Sequence, residues 1–153
     1  MIYSVVGNVL DRDFTHIIHQ ANLFHVFGSG LAKQIKSRYI EAYHADLLTV
    51  KGDKSRLGTF SWALTTDGKI VYNLYSQVGI GSTDRQTSYD AMDTGLRKIR
   101  SQLREHHGPV NVGIPYRLGC GLANGNWGIV YAIIESIFEQ EKFPVTIVEL
   151  PAL

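Results

Sequence analysis

Residues 22–30 combine an amide, an imidazole and a glycine-rich turn in one short stretch after an apolar run. Asn22 ends that run, His25 follows three residues later, and Gly28-Ser29-Gly30 leads directly into a helix-like segment. An amide can orient water or a sugar hydroxyl, and an imidazole titrates near neutral pH, so it can transfer protons. A plainer interpretation stays open: a strand-to-helix corner in which Asn22 ties down the loop and His25 bonds to the backbone.

A second glycine cluster, Gly119-Cys120-Gly121 with Gly125, follows a later strand-like segment. Glycine lets the backbone approach a ligand closely, and consecutive N–H groups can form an anion-binding concavity. A helix that starts directly after such a loop adds free N–H donors and the positive end of its dipole. Two such loops at one sheet edge can clamp a diphosphate, although the first lacks the third glycine of the dinucleotide fingerprint and neither is a P-loop.

Other chemistry-bearing side chains have structural interpretations. Cys120 has no His partner visible in the sequence, so we interpret it as a small residue that suits a tight turn rather than as a nucleophile. His16 and His19 alternate along a strand and are predicted to be structural. No His, Cys, Asp or Glu spacing matches a metal-ligand pattern, so we expect neither a metal nor another cofactor.

The elements that position these residues alternate between strands and helices. Apolar periodicity predicts helices after Gly30, over residues 89–103, and after Asn126, which is placed as an N-cap. A strong hairpin turn stands at residues 67–68. Strand-like segments cover 2–7, 15–22, 58–65, 69–76, 110–116 and 145–150. The pattern predicts an α/β sandwich with a mixed sheet, in a single domain over residues 1–153.

Composition argues against several classes of function. The 153 residues carry a formal net charge of +1, which gives no electrostatic case for nucleic-acid binding. The single cysteine cannot form an internal disulfide, and the strand-like start after Met1 lacks the features of a signal peptide. No apolar run approaches the length of a membrane span. We therefore expect a cytoplasmic protein without a membrane partner.

Three segments together resemble the macrodomains, a family that binds ADP-ribose and its derivatives. VVGNVLD (5–11) resembles the family's opening strand and Gly-Asp-Ile segment, with Asn8 where the family usually has Asp. QANLFHVFGSGLA (20–32) resembles the Asn-containing segment and Gly-rich loop, with the family's five-residue spacing preserved. IPYRLGCGLANGNW (114–127) is similar to the second phosphate loop, in the form found in terminal ADP-ribose protein glycohydrolases and many phage and bacterial relatives.

The resemblance implies a fold and a role for each matching residue. The fold is a three-layer α/β/α sandwich whose mixed, mostly parallel sheet has about six strands. Asn8 is expected to face the adenine amino group, Val9 to line the adenine pocket, and Asn22 to reach the distal ribose, the one furthest from adenine. The loops expected to hold the distal ribose and the diphosphate contribute Gly28, Ser29 and Gly30 on one side and Cys120, Gly121, Leu122, Ala123 and Asn124 on the other.

Departures from the family pattern concern catalysis and adenine binding. The glycohydrolase subclass uses a Lys on the strand after the hairpin and an Asp directly after GCGL, and Gln77 and Ala123 stand at those positions. Neither can form a covalent lysyl intermediate or act as a general acid or base, which disfavours that mechanism. At Asn8 an amide replaces a carboxylate, and it can still accept a hydrogen bond from adenine.

The favoured hypothesis is a hydrolase that removes a group from the 1″ position of ADP-ribose. It would be an ADP-ribose 1″-phosphate phosphatase or an ADP-ribosyl hydrolase, with His25 or Asn22 handling water. The alternative is a module that binds free or macromolecule-linked ADP-ribose without chemistry. A third hypothesis is an α/β domain whose loops bind a different nucleotide. The first two allow an ADP-ribosylated macromolecule as a partner.

Overall fold

The computed structural model describes residues 1–81 and 83–152, and within them the chain forms six strands and four α-helices. The strands are β1 (Ile2–Val6), β2 (His16–Asn22), β3 (Phe60–Leu64), β4 (Ile70–Gln77), β5 (Val112–Pro115) and β6 (Val145–Glu149). The helices are α1 (Gly30–Arg38), α2 (Ile40–Leu47), α3 (Tyr89–Arg104) and α4 (Trp127–Phe138). A short 3₁₀ turn, Lys54–Arg56, lies between α2 and β3.

The strands form one sheet in the order β1-β6-β5-β2-β4-β3. β3 pairs antiparallel with β4 through the predicted hairpin, and the other neighbouring pairs are parallel. Parallel neighbours need long crossover connections, which the helices supply. The predicted α/β fold with a mixed, mostly parallel sheet is therefore confirmed.

Different helices cover the two faces of the sheet, which gives the three layers. α3 and α4 pack over a core that includes Leu96, Ile99 and Ile134. α1 and α2 pack over a second core that includes Ile17 and Ile35. β2 is buried along almost its whole length, because helices cover the sheet on both sides. Its carboxyl end therefore emerges between two helical layers.

Helix boundaries agree with the sequence at Asn126 and differ from it after α1. The Asn126 side chain accepts a hydrogen bond from the Ile129 N–H at 3.3 Å, as expected of an N-cap. α1 ends at Arg38, and a separate helix, α2, follows, which the periodicity did not separate. Tyr39 interrupts the two with φ −130° and ψ 68°, and its buried hydroxyl donates to Asp67 Oδ2 at 2.9 Å.

Across residues 1–81 and 83–152, none of the helices combines the length and apolar character that crossing a bilayer requires.

Two buried histidines on β2 lie on opposite faces of the sheet. His16 stacks on Tyr72 and meets the edge of His106, with ring centroids 6.0 and 4.7 Å away. His19 Nε2 lies 2.6 Å from Asn73 Oδ1. Burial lowers the pKa of both imidazoles to about 4; His106 adds to the effect at His16, and the Asn73 hydrogen bond opposes it at His19. Both rings are therefore neutral near pH 7.

These histidines make the fold sensitive to acid. Unfolded histidines take up a proton near pH 6.5, and these two do so only near pH 4, so the unfolded state binds more protons in between. We expect the free energy of unfolding to fall as the pH drops from 6.5 to 4, by about 1.4 kcal/mol per pH unit for each histidine. When the free energy of unfolding from urea titrations is plotted against pH over this range, His16→Phe should show a shallower slope than the wild type. His44→Gln, at an exposed position, is the control and should keep the wild-type slope. Equal slopes in all three proteins would contradict the contribution of His16 to the pH dependence.

Candidate functional site

A cleft of about 390 Å³ opens where β2, β4 and β5 end. Its lining comprises His19, Gln20, Asn22, Val26, residues 28–32, Gln77, Ile80, Gly81, residues 115–119 and residues 121–123. The carboxyl edge of parallel strands is where open α/β sheets bind their ligands. Both glycine loops singled out in the sequence border this one cleft.

The first loop leads into α1 and leaves a run of backbone N–H groups without acceptors. Ser29 is the N-cap of α1, but its side chain makes no capping hydrogen bond, and the first turn contains no acidic residue. Among the described residues, nothing accepts from the N–H groups of residues 28–32, all of which line the cleft. These donors and the helix dipole favour an anion at this end of α1.

The second loop presents a similar run. Gly121, Leu122 and Ala123 line the same cleft, and their N–H groups meet no acceptor within the part of the chain that the structure describes. Successive free N–H groups in a turn form an anion-binding concavity. The cleft therefore receives backbone donors from both loops, as the two glycine clusters predicted.

Asn22 shapes the first loop through its side chain. Its Oδ1 accepts from the N–H groups of Phe24 and Val26 at 2.9 and 3.3 Å, and its Nδ2 donates to the Val26 carbonyl at 2.8 Å. The residue is 7% exposed and lines the cleft. The amide thus closes the loop and keeps a second Nδ2 hydrogen. The anchoring interpretation of Asn22 is observed, and its contact with a ribose stays a prediction.

The residues just before α3 support the second loop from behind. Thr87 Oγ1 donates to the Gly119 carbonyl at 2.6 Å, and the N–H groups of Gln86 and Thr87 both donate to the Ala123 carbonyl. The Gly125 N–H closes the loop on the Gly119 carbonyl at 2.9 Å. A Cβ at position 125 would lie 2.5 Å from that carbonyl oxygen, so only glycine fits there.

Arg117 supplies the only cation of the cleft lining within the described residues, and that lining contains no carboxylate. Its Nη2 donates to the Cys120 carbonyl at 2.9 Å. Its backbone is left-handed, with φ 62°, as are His25 and Asn124 at 60° in the same two loops. Such backbone is costly for residues with a side chain and is concentrated at ligand-binding loops. The sequence analysis did not single out Arg117.

The structure brings seven of the predicted site residues together in the lining: Asn22, Gly28, Ser29, Gly30, Gly121, Leu122 and Ala123. Five others lie outside it: Asn8, Val9, His25, Cys120 and Asn124.

The His25 ring contacts the end of α2 rather than the cleft. Its Nε2 lies 3.2 Å from Thr49 Oγ1, and its carbonyl accepts a hydrogen bond from the Tyr43 hydroxyl at 3.1 Å. The side chain is half-buried. These contacts hold the loop, so the predicted catalytic role requires the ring to turn toward the cleft.

Cys120, Asn8 and Val9 have partners inside the protein. The buried Cys120 thiol donates to the Leu118 carbonyl at 3.3 Å, and burial raises the pKa of that thiol, which makes it a poor nucleophile. Asn8 Oδ1 accepts from the Leu10 N–H at 2.9 Å, and Val9 is buried in the core beneath α1 and α2. Their contacts with a nucleotide stay predictions.

The sequence analysis missed His19, Gln20 and Tyr116 as cleft residues. The position of His19 and Gln20 in the sequence could have indicated a place in the cleft, because both lie within three residues of the carboxyl end of β2. Gln77 ends β4, lines the cleft and donates through Nε2 to the Gly79 carbonyl at 2.7 Å. Along the described ranges, no three His, Cys, Asp or Glu side chains are grouped so as to hold a metal ion.

Comparison with known sequences finds two informative relatives, and no protein-family model matches the chain. A 17.5 kDa protein of the tk-vs intergenic region of Enterobacteria phage T4 is 28% identical over 138 residues, which cover 88% of this chain and 85% of that protein. An ADP-ribose glycohydrolase from Bos taurus is 31% identical over 90 residues, covering 57% of this chain and 54% of the enzyme.

Comparison with solved structures finds the same architecture in macrodomains. The macrodomain of Mycobacterium tuberculosis DarG aligns over 99% of both chains with a TM-score of 0.82 at 23% identity. Thermosipho africanus DarTG, solved in complex with ADP-ribose, aligns with a TM-score of 0.76 at 19% identity over 97% of this chain and 42% of that one. The chain therefore has the macrodomain fold, which confirms the resemblance carried by its three segments.

The contacts of Asn22 predict a stability effect. Asn22→Ala removes three hydrogen bonds that hold the partly exposed loop through Phe24 and Val26, so the free energy of unfolding should fall by about 1–3 kcal/mol. Urea unfolding measures this change. Asn8→Ala, which removes one hydrogen bond to Leu10, is the matched control and should cost less. Wild-type stability in Asn22→Ala would show that the loop does not depend on this amide.

Proposed function

We propose that the chain binds ADP-ribose in this cleft and hydrolyses a derivative linked through the 1″ position. The observation that carries the proposal is that two runs of N–H groups, residues 28–32 and 121–123, border one cleft and have no acceptor in the described part of the chain. A diphosphate offers only acceptors, so it matches a site made of backbone donors and one guanidinium. The fold shared with a DarTG that was solved with ADP-ribose supports the same ligand.

The length of the site favours a ligand with two sugars over a mononucleotide. The predicted adenine contact Asn8 follows β1, and Gln77 ends β4, four strand spacings away in the sheet. At about 4.8 Å per spacing, this edge is about 19 Å long. An adenosine at the β1 end, a diphosphate between the loops and a distal ribose near β4 would occupy that length.

Hydrolysis would proceed by direct attack of water rather than through a lysyl intermediate, because Gln77 and Ala123 replace the subclass Lys and Asp. Both residues line the cleft, which supports this register. Asn22 would orient the ribose or the water, and His25 would transfer the proton after its ring leaves Thr49. Rings that catalyse proton transfer are often misaligned before substrate binds. Water would form the new bond to C1″ and give ADP-ribose, and the leaving group would be phosphate or the acceptor side chain of an ADP-ribosylated macromolecule, in the cytoplasm.

A non-catalytic ADP-ribose-binding module is the second candidate, and one observation favours it. Within the described residues, the only imidazole that lines the cleft is His19, and its Nε2 is engaged with Asn73. A site built from neutral amides and N–H donors can bind a nucleotide without transferring protons.

Calorimetric titration tests the binding proposal. ADP-ribose should bind with micromolar affinity, and AMP and NAD should bind more weakly. Gly121→Val should weaken ADP-ribose binding about tenfold or more, because a Cβ there meets no atom of the described residues within 4 Å and lies beside the donor run. Ala132→Val on the exposed surface of α4 is the matched control and should leave the affinity unchanged. Absence of ADP-ribose binding by the wild type would overturn the proposal.

An assay of substrate hydrolysis distinguishes the proposed hydrolase from a non-catalytic ADP-ribose-binding module. We expect release of phosphate from ADP-ribose 1″-phosphate or of ADP-ribose from an ADP-ribosylated peptide. His25→Asn tolerates the left-handed backbone and removes the imidazole, so it should reduce turnover by about 100-fold while ADP-ribose affinity stays within about twofold. His44→Asn is the exposed control. A wild type that binds ADP-ribose and turns over neither substrate would establish the binding module instead.

A further inference from the structure

His19 places a buried imidazole at the floor of the cleft. The residue is 1% exposed, belongs to β2 three positions before Asn22, and lines the cleft. Its ring packs edge-on against Phe27, with centroids 5.3 Å apart. Leu31 and Ala32, in the first turn of α1, line the same cleft. The imidazole therefore lies where the strand, the loop and the helix meet.

The hydrogen bonds of Asn73 determine which nitrogen of His19 carries the proton. Asn73 Nδ2 donates to the Ala42 carbonyl at 2.8 Å and to Ser61 Oγ at 2.9 Å. A flipped amide would place its oxygen against the Ala42 carbonyl, so this orientation holds. Asn73 Oδ1 then faces His19 Nε2 at 2.6 Å and can only accept. Nε2 is therefore the donor, and Nδ1 carries a lone pair.

Nδ1 is buried and has no hydrogen-bond partner among the described residues. Buried polar atoms are almost always paired, so an unpaired acceptor on a residue that lines the cleft indicates a missing donor. Burial lowers the pKa of this imidazole to about 4, so Nδ1 stays unprotonated and remains an acceptor at neutral pH.

We propose that His19 Nδ1 accepts a hydrogen bond from a hydroxyl group of the distal ribose and thereby selects ribosyl over deoxyribosyl ligands. This inference rests on the proposed binding of ADP-ribose. The diphosphate cannot donate, so the donors of ADP-ribose are its hydroxyls and the adenine amino group. The predicted adenine end lies at β1, three strands from β2, whereas His19 and Asn22 share β2. A ribose hydroxyl is therefore the donor that fits.

Nitrogen NMR of the wild-type protein tests this hydrogen bond directly. With ¹⁵N-labelled histidine, the His19 Nδ1 resonance should move upfield when ADP-ribose saturates the protein, and AMP, which lacks the distal ribose, should leave it in place. His16 is the internal control: it lies on the same strand, is equally buried and has an Nε2 without a partner among the described residues, but it does not line the cleft. Its resonances should not move.

The affinities of the wild type and one variant for three ligands measure the selectivity for ribosyl over deoxyribosyl ligands. Wild-type protein should bind ADP-ribose about tenfold more tightly than at least one of its 2″-deoxy and 3″-deoxy analogues. His19→Phe keeps an aromatic ring to pack on Phe27 but removes the acceptor, so it should discriminate against that analogue much less than the wild type does. Calorimetry gives the three dissociation constants for each protein.

The outcomes separate this inference from the proposed function. A wild type that does not bind ADP-ribose overturns both. Tight binding of ADP-ribose with an unmoved His19 Nδ1 resonance overturns the role of His19 alone, even if His19→Phe fails to fold. Unchanged discrimination against the deoxy analogues in a folded His19→Phe protein overturns it as well.

Discussion

The structure depends on one constraint: backbone N–H groups of two loops must stay unpaired within the protein and yet be held in place. Folded chains pair nearly all their backbone donors, so eight donors in one cleft that find no acceptor among the described residues are an unusual concentration. A helix start supplies residues 28–32, because the first N–H groups of a helix have no intrahelical acceptor. A glycine turn supplies residues 121–123. The parallel sheet matters because it ends β2 and β5 side by side and brings both loops to one edge.

Side chains behind the loops keep these donors in position. Asn22 closes the first loop, while the buried Arg56 donates through Nη2 to the Leu23 carbonyl at 2.7 Å. Thr87 performs the equivalent task for the second loop through the Gly119 carbonyl. Donors that are already oriented lose little conformational entropy on binding, so a rigidly supported loop binds its ligand more tightly than a flexible one. The left-handed backbone of Arg117 and Asn124 is a cost that the same support offsets.

The charge of the cleft suits recognition of an anion more clearly than it suits proton transfer. Arg117 adds a cation, and no carboxylate opposes it within the described lining. The imidazole at the floor, His19, is kept neutral by burial, and the imidazole in the loop, His25, is engaged with Thr49. Chemistry at this site would therefore depend on how bound substrate rearranges water and the loop, whereas binding needs no rearrangement.

The sequence by itself determined the six strands, three of the four helices within the described residues, the α/β class and the two loops, because these follow from local apolar periodicity, glycine clusters and the Asn126 cap. The resemblance of three segments to macrodomains also marked seven residues that line the cleft. The sequence could not separate α1 from α2, because Tyr39 leaves the helix to reach Asp67, a contact between distant segments. The tertiary structure alone decided that Arg117 and His19 line the cleft and that His25 turns toward Thr49. It also decided which nitrogen of His19 is the acceptor, because Asn73, Ala42 and Ser61 meet there only in the folded chain.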